Sequence, residues 1–221
     1  MRGVVLDLDG TLIDSVPDVA HALNCLLAEE GRRLLTMDEV KGLVGEGVTV
    51  LMEGAYAATG ATVAGAELSA AIARYQDFYA RDPATHTIVF PQVRETLERL
   101  AAEGVALGIC TNKPYRITGL VLEALGLAPL FRAVTGGDNL PFRKPDGRHI
   151  LATVEMMGLT PDSVLYVGDS ITDVRAARDA KIPVVAVAWG YADEGGAEAL
   201  GADAVIDDFS AIPDLLRRLV P

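Results

Sequence analysis

Asp7 and Asp9 stand two residues apart, after the apolar run Val4, Val5 and Leu6 and just ahead of Gly10. Alternate side chains of an extended chain share a side, so both carboxylates face the same way, and that close they repel unless a cation or a proton separates them. A second acidic pair, Asp169 and Asp173, follows the apolar run 164–167, while Thr111 and Asn112 follow the run 105–110 and Lys144 lies in a loop further on. Carboxylates gathered in this way suit a hard, oxygen-liganded ion such as Mg²⁺, which takes few carboxylates and retains waters. Each residue also has a plain reading by itself. Asp7 and Asp9 are acceptable turn residues, Asp173 an acid in the first turn of a helix, Thr111 and Asn112 caps for the helix after Pro114, and Lys144 a solvated charge.

The elements that must position these groups are read from periodicity. Val4, Val5, Leu6 and Leu8 predict a buried strand opening onto a turn. Ser15 offers an N-cap with Pro17 just inside the helix, and Val16, Val19, Ala20, Leu23, Leu26 and Leu27 recur at one-face spacing until Gly31. Residues 38–44, 49–58 and 65–80 predict further helices. From about Pro91 helix and apolar strand alternate, with strands expected at 105–110, 133–135, 164–167, 183–187 and 204–206 and helices near 93–100, 115–125, 146–157 and 171–180. Such alternation implies a parallel sheet covered on both faces, an α/β core of Rossmann-like type. The first strand is too short to stand alone and must join that sheet. Residues 15–85 are therefore expected to be an all-helical insert, and residues 1–14 with 86–221 the α/β core. Ligands of open parallel sheets bind beyond the carboxyl ends of the strands, where the polar residues fall.

Composition narrows the function classes. The chain has 221 residues, half of them apolar, and a formal charge of −12. Nucleic-acid affinity rests on clustered Lys and Arg, which are absent, so no nucleic-acid partner is expected. No apolar run reaches membrane-spanning length and no charged-then-apolar leader opens the chain, which predicts a cytoplasmic protein without a membrane partner. Cys25 and Cys110 lack zinc or CxxC spacing and read as reduced core residues.

The segments DLDGTLIDS at 7–15, CTNKP at 110–114, RKP at 143–145 and GDSITD at 168–173 resemble, in order, the four motifs of haloacid dehalogenase superfamily phosphatases. The likeness spans nearly the whole chain. It implies an aspartyl-phosphate mechanism: Asp7 attacks phosphorus, and Asp9 protonates the leaving oxygen and later activates water. It further implies Thr111 and Asn112 on the phosphoryl oxygens, Lys144 steadying charge, Mg²⁺ on Asp7, Asp169 and the backbone carbonyl of Asp9, and Asp173 supporting the metal shell. Negative charge on Asp7 or on the substrate phosphate is expected to raise the pKa of Asp9.

An insert after Asp9 resembles the helical cap of that superfamily, which closes over the site and implies a small-molecule phosphate ester as partner. Glu46, between Gly45 and Gly47, would oppose an anionic substrate if it faced inward. The run 91–114 and the segment 135–145 look most like phosphoglycolate phosphatases, implying 2-phosphoglycolate as substrate. Sugar-phosphate phosphatases, pyrophosphatases and phosphomutases share nearly the same core residues, and a binding module on an inactive phosphatase fold is the non-enzyme alternative. A monomer or homodimer is expected.

Overall fold

In the computed structural model residues 1–191 and 195–220 are described. The chain enters through strand β1 (Gly3–Leu6), all four residues of which are buried. After a turn, β2 (Ile13–Asp14) leads into four helices, α1 (Val16–Glu29), α2 (Met37–Lys41), α3 (Val48–Ala58) and α4 (Gly65–Arg81). Strand β3 (Ile88–Val89) brings the chain back and pairs antiparallel with β2. These two short strands frame the four helices. They lie below the length at which alternation can be read from sequence, and were not expected.

The remainder alternates as anticipated: α5 (Val93–Ala102), β4 (Ala106–Cys110), α6 (Tyr115–Ala124), β5 (Ala133–Thr135), α7 (Arg148–Met156), β6 (Val164–Gly168), α8 (Ile171–Asp179), β7 (Val184–Val187), β8 (Ala204–Ile206) and α9 (Ile212–Leu219). The six longer strands form one sheet in the order β5-β4-β1-β6-β7-β8, and every pairing in it is parallel. Central β1 lies between β4 and β6, so residues that follow these three strands are neighbours at one edge. Chain order reverses across β1, which makes this edge the switch point of the sheet.

Helix α1 buries Val19, Leu23, Leu26 and Leu27, each aliphatic side chain contributing roughly 1.5–3 kcal/mol when withdrawn from water. Its main partner, α4, presents Ala71, Tyr75 and Tyr79 at helical spacing. Helix α2 is shorter than expected and begins one residue earlier, because Thr36 and Glu39 form a reciprocal capping box and the chain turns at Gly42. Leu43 then leaves the helix to pack over Gly54 of α3. The amphipathic helix α9, with Ile212, Leu215 and Leu216 buried, was not anticipated. Cys110 is buried but Cys25 is only half-buried on α1, so the expectation of two core thiols holds for one.

Candidate active site

Asp7 follows β1 directly, and its backbone N–H donates to the carbonyl of Val167 at 2.9 Å, continuing the ladder toward β6. The carboxylate is buried and meets the equally buried Lys144, whose Nζ lies 2.8 Å from Asp7 Oδ1 and 2.6 Å from Asp173 Oδ1. Tyr166 of β6 completes this group: its hydroxyl lies 2.7 Å from Asp173 Oδ1 and accepts from Lys144 Nζ at 3.1 Å. Burial opposes the charge on Lys144, but the carboxylates of Asp173 and Asp7 outweigh it and hold the ammonium's pKa above its ordinary value. Burial likewise works against the Asp173 anion, which Lys144 nevertheless pulls below the usual carboxylate range.

Asp7 behaves differently. Burial lifts it, Lys144 only partly offsets this, and its pKa is pushed up to about 6. Asp169, beyond β6, is raised well above the ordinary value by burial and then by the charges of Asp173 and Asp7. One oxygen from each of Asp7, Asp169 and Asp173 lies within 4.8 Å of the others. Asp7 Oδ1 meets the Lys144 ammonium at 2.8 Å but shares it with Asp173. Anions so crowded are the surroundings that a hard divalent cation relieves. The residues present therefore fit Mg²⁺.

Of the three acids, Asp173 is the most committed to the protein. Its Oδ2 accepts from the Ser170 hydroxyl at 2.5 Å and from the backbone N–H of Asp169 at 3.2 Å, so the residue caps α8 and holds Lys144 at once. Asp169 is wedged by backbone. A Cβ on Gly10 or Gly190 would run into its carboxylate, and the N–H of Tyr191 donates to Asp169 Oδ2 at 2.7 Å.

Asp9 turns toward the helices. Its carboxylate is 3.1 Å from the buried Lys113 Nζ, and its Oδ1 accepts from the Ser15 hydroxyl at 2.5 Å. Ser15 does stand at the start of α1, but its side chain makes no cap, being spent on Asp9. Lys113 Nζ also donates to the Tyr79 hydroxyl of α4 at 2.8 Å. Lys113, Tyr166, Tyr191 and Ser15 are the contributors that sequence reasoning missed. Lys113 was within reach, since it sits inside the CTNKP segment directly after two residues already singled out.

Thr111 and Asn112 come from the end of β4. Thr111 Oγ1 accepts the Lys113 N–H at 3.2 Å, which leaves its own hydrogen to donate. Asn112 gives its amide hydrogens to the carbonyls of Gly45 and Lys144, each at 3.1 Å, and so ties the α2–α3 loop to the lysine loop. His149 is fully buried, and burial, followed by Lys144, pulls its pKa down to about 4. Arg143 and Arg148 are exposed. A narrow cleft of about 40 Å³ opens over Asp7, Asp9, Thr111 and Lys113, roofed by Leu43, Val44, Gly45, Gly47, Val48, Leu51, Tyr75 and Tyr79. Glu46 is exposed and faces a separate groove bounded by Ser170, Ile171 and Tyr191, so it does not oppose an anion in the cleft.

A curated protein of Rhodospirillum rubrum named phosphoglycolate phosphatase is 43% identical over 97% of this chain and 90% of its own length. One of the same name from Caulobacter vibrioides is 40% identical over 95% of this chain and 88% of its own. Among solved structures, a predicted phosphoglycolate phosphatase from Haemophilus somnus superposes with a TM-score of 0.90 at 30% identity, covering 97% of each chain. A family model described as haloacid dehalogenase-like hydrolase matches residues 4–187. With the parallel sheet, the acids at its switch point and these full-length likenesses in agreement, the chain belongs to the haloacid dehalogenase-like hydrolases.

Proposed function

We propose that this protein is a Mg²⁺-dependent phosphatase that hydrolyses a small phosphate monoester through an aspartyl phosphate on Asp7, with 2-phosphoglycolate as the substrate. The observation that carries the reading is the meeting of Asp7 with Asp169 and Asp173, one oxygen of each within 4.8 Å of the others, beside a buried Lys144 ammonium 2.8 Å from Asp7 Oδ1. Relatives about 40% identical over nearly the whole chain carry the name phosphoglycolate phosphatase and supply the substrate.

In this reading Asp7 attacks phosphorus, the bond to the ester oxygen breaks, and Asp9 gives that oxygen its proton so that the alcohol departs. Water then attacks the phosphorylated Asp7, Asp9 takes its proton, and phosphate leaves. Lys144 balances charge on Asp7 and on the equatorial oxygens, and the Thr111 hydroxyl donates to one of them. Asn112 contributes by holding the two loops around those oxygens in place. Asp7, Asp169 and the backbone carbonyl of Asp9 would hold Mg²⁺, with Asp173 behind them. The ion would supply positive charge to the transferring phosphoryl group. Dividing the displacement into two steps suits an ester whose unaided hydrolysis is among the slowest known, with accelerations approaching ~10²¹.

Residues 15–85 are assigned as a cap over a core of residues 1–14 and 86–221. The support is the apolar roof that the α2–α3 loop, α3 and α4 place on the cleft, which excludes water and limits the substrate to small molecules. No helix among the described residues is long and apolar enough to cross a membrane, and the protein is assigned to the cytoplasm as a monomer or homodimer. The test is phosphate release from a panel of small esters with and without Mg²⁺. 2-Phosphoglycolate should give the highest kcat/KM, and Asp7→Asn should abolish turnover. A higher kcat/KM for hexose phosphates or pyrophosphate overturns the substrate, and isomerised sugar phosphate in place of free phosphate overturns hydrolysis in favour of a mutase.

A further inference from the structure

Lys113 enters the chemistry just described only as the partner of Asp9, yet it is buried with its ammonium on the wall of the cleft. Of the cleft's lining residues it alone carries a positive charge, facing a roof of aliphatic and tyrosine side chains. We propose that Lys113 is the specificity-determining residue, its ammonium receiving the second anionic group of the substrate, the carboxylate, while the phosphoryl group lies on Asp7. This rests on the reading of the substrate as a carboxylated phosphate ester.

Three features on independent elements support it. The first is donor arithmetic. An ammonium has three N–H bonds; Lys113 directs one to the Tyr79 hydroxyl at 2.8 Å and shares another between Asp9 Oδ2 and Oδ1 at 3.1 and 3.2 Å, because two carboxylate oxygens lie too close together to take separate N–H bonds of one ammonium. The third N–H is not needed by this ion pair and can meet a ligand anion without leaving Asp9 bare.

The second is placement. Tyr79 holds the ammonium from α4, on the roof side, with its ring centroid 4.5 Å from Nζ, while Lys113 itself follows β4 two residues after Thr111. A molecule with its phosphoryl group beside Thr111 therefore presents its remaining end toward the lysine and the roof. The third is the start of α3, where Gly47 and Val48 line the same cleft. The positive end of an eleven-residue helix adds to the preference for an anion there. Against the aliphatic and tyrosine side chains of the roof, a ligand end that is anionic gains more from Lys113 than one that is uncharged.

The experiment compares 2-phosphoglycolate with ethyl phosphate, a similarly small ester that lacks the carboxylate, in wild type, Lys113→Gln and Lys113→Arg. Losing Asp9's partner is expected to slow both esters, so the readout is the ratio of their kcat/KM values. Lys113→Gln should lower that ratio by about 30-fold or more, the scale for removing one member of a buried charge pair, and Lys113→Arg should restore most of it. If Lys113→Gln proves too slow to assay, the same ratio is taken from calorimetric affinities of the two esters in an Asp7→Asn background. An equal loss on both esters overturns the assignment and leaves Lys113 as a support for Asp9. A wild type that does not prefer 2-phosphoglycolate to ethyl phosphate instead overturns the substrate reading, a result separable because it needs no variant.

Discussion

Replacing Asp7 by asparagine should abolish activity and, without Mg²⁺, make the protein more stable. The pKa of Asp7 rises from 3.8 in the unfolded chain to about 6 in the folded one, chiefly because the carboxyl is buried. Below 3.8 the group is protonated in both states and contributes nothing to the difference. Between the two values the folded state binds the extra proton, so stability falls as pH rises through this window and stays lower above it. A rise of that size corresponds to about 3 kcal/mol, at about 1.4 kcal/mol per pH unit. Asparagine keeps the shape and removes the charge. It also relieves Asp169, whose pKa is raised partly by Asp7, while Lys144 loses one carboxylate and keeps Asp173.

Thermal unfolding in EDTA should therefore place Asp7→Asn ~6–12 °C above wild type at pH 7.5, with the gap closing near pH 4. Added Mg²⁺ should narrow the difference by binding only the wild-type site tightly. A variant less stable than wild type at pH 7.5 in EDTA would show that Lys144 more than offsets the burial of Asp7, and that the site is not poised for a cation.

Lys144→Met strands Asp7 and Asp173 in the interior without their cation; urea titration should show a loss of about 3–5 kcal/mol, and phosphate release should fall to background. Gly190→Ala drives a Cβ into the buried Asp169 side chain; the Mg²⁺ concentration giving half activation should rise about 10–100-fold, and urea titration should show an overpacking loss of about 1–3 kcal/mol. Asp18→Ala removes the acceptor for the N–H groups of His86 and Thr87 and for the Thr87 hydroxyl, the last at 2.6 Å; urea titration should show about 2–4 kcal/mol lost, and proteolysis should cut first near residue 86.

Much of this was legible because the sheet is buried on both faces. Strands such as β6 and β7 must then be almost continuously apolar, and a polar residue at their ends stands out against that background. Asp7, Thr111 and Asp169 stand out in this way, whereas Lys144, in a loop beyond β5, and Asp173, in the first turn of α8, gained their roles from the likeness of their segments to the superfamily motifs. The same logic explains the omissions. Tyr166 sits inside an apolar strand and reads as a core aromatic, while its hydroxyl, the part that meets Lys144 and Asp173, leaves no trace in periodicity. Tyr191 reaches the site from beyond β7 through a backbone N–H, which no side-chain pattern records. Ser15 was legible as a helix start, but whether its hydroxyl caps α1 or meets Asp9 depends on the turn between β1 and β2, set by tertiary structure.

The first crossing into the helices is joined to both acid pairs, which bears on how the cleft and the chemistry depend on each other. The Tyr191 hydroxyl donates to Asp14 Oδ1 at 2.8 Å and accepts the Ser15 N–H at 3.1 Å, while its backbone holds Asp169. Ser15 in turn holds Asp9, and Asp18, one turn further into α1, fastens the returning segment at His86 and Thr87. A displacement of α1 at this crossing therefore cannot leave Asp9 and Asp169 both unmoved. Buried acids destabilise a fold unless positioned dipoles and cations surround them, and here several of those dipoles belong to the segments that carry the roof. Positioning the acids and closing the cleft are thus served by the same short stretch of chain.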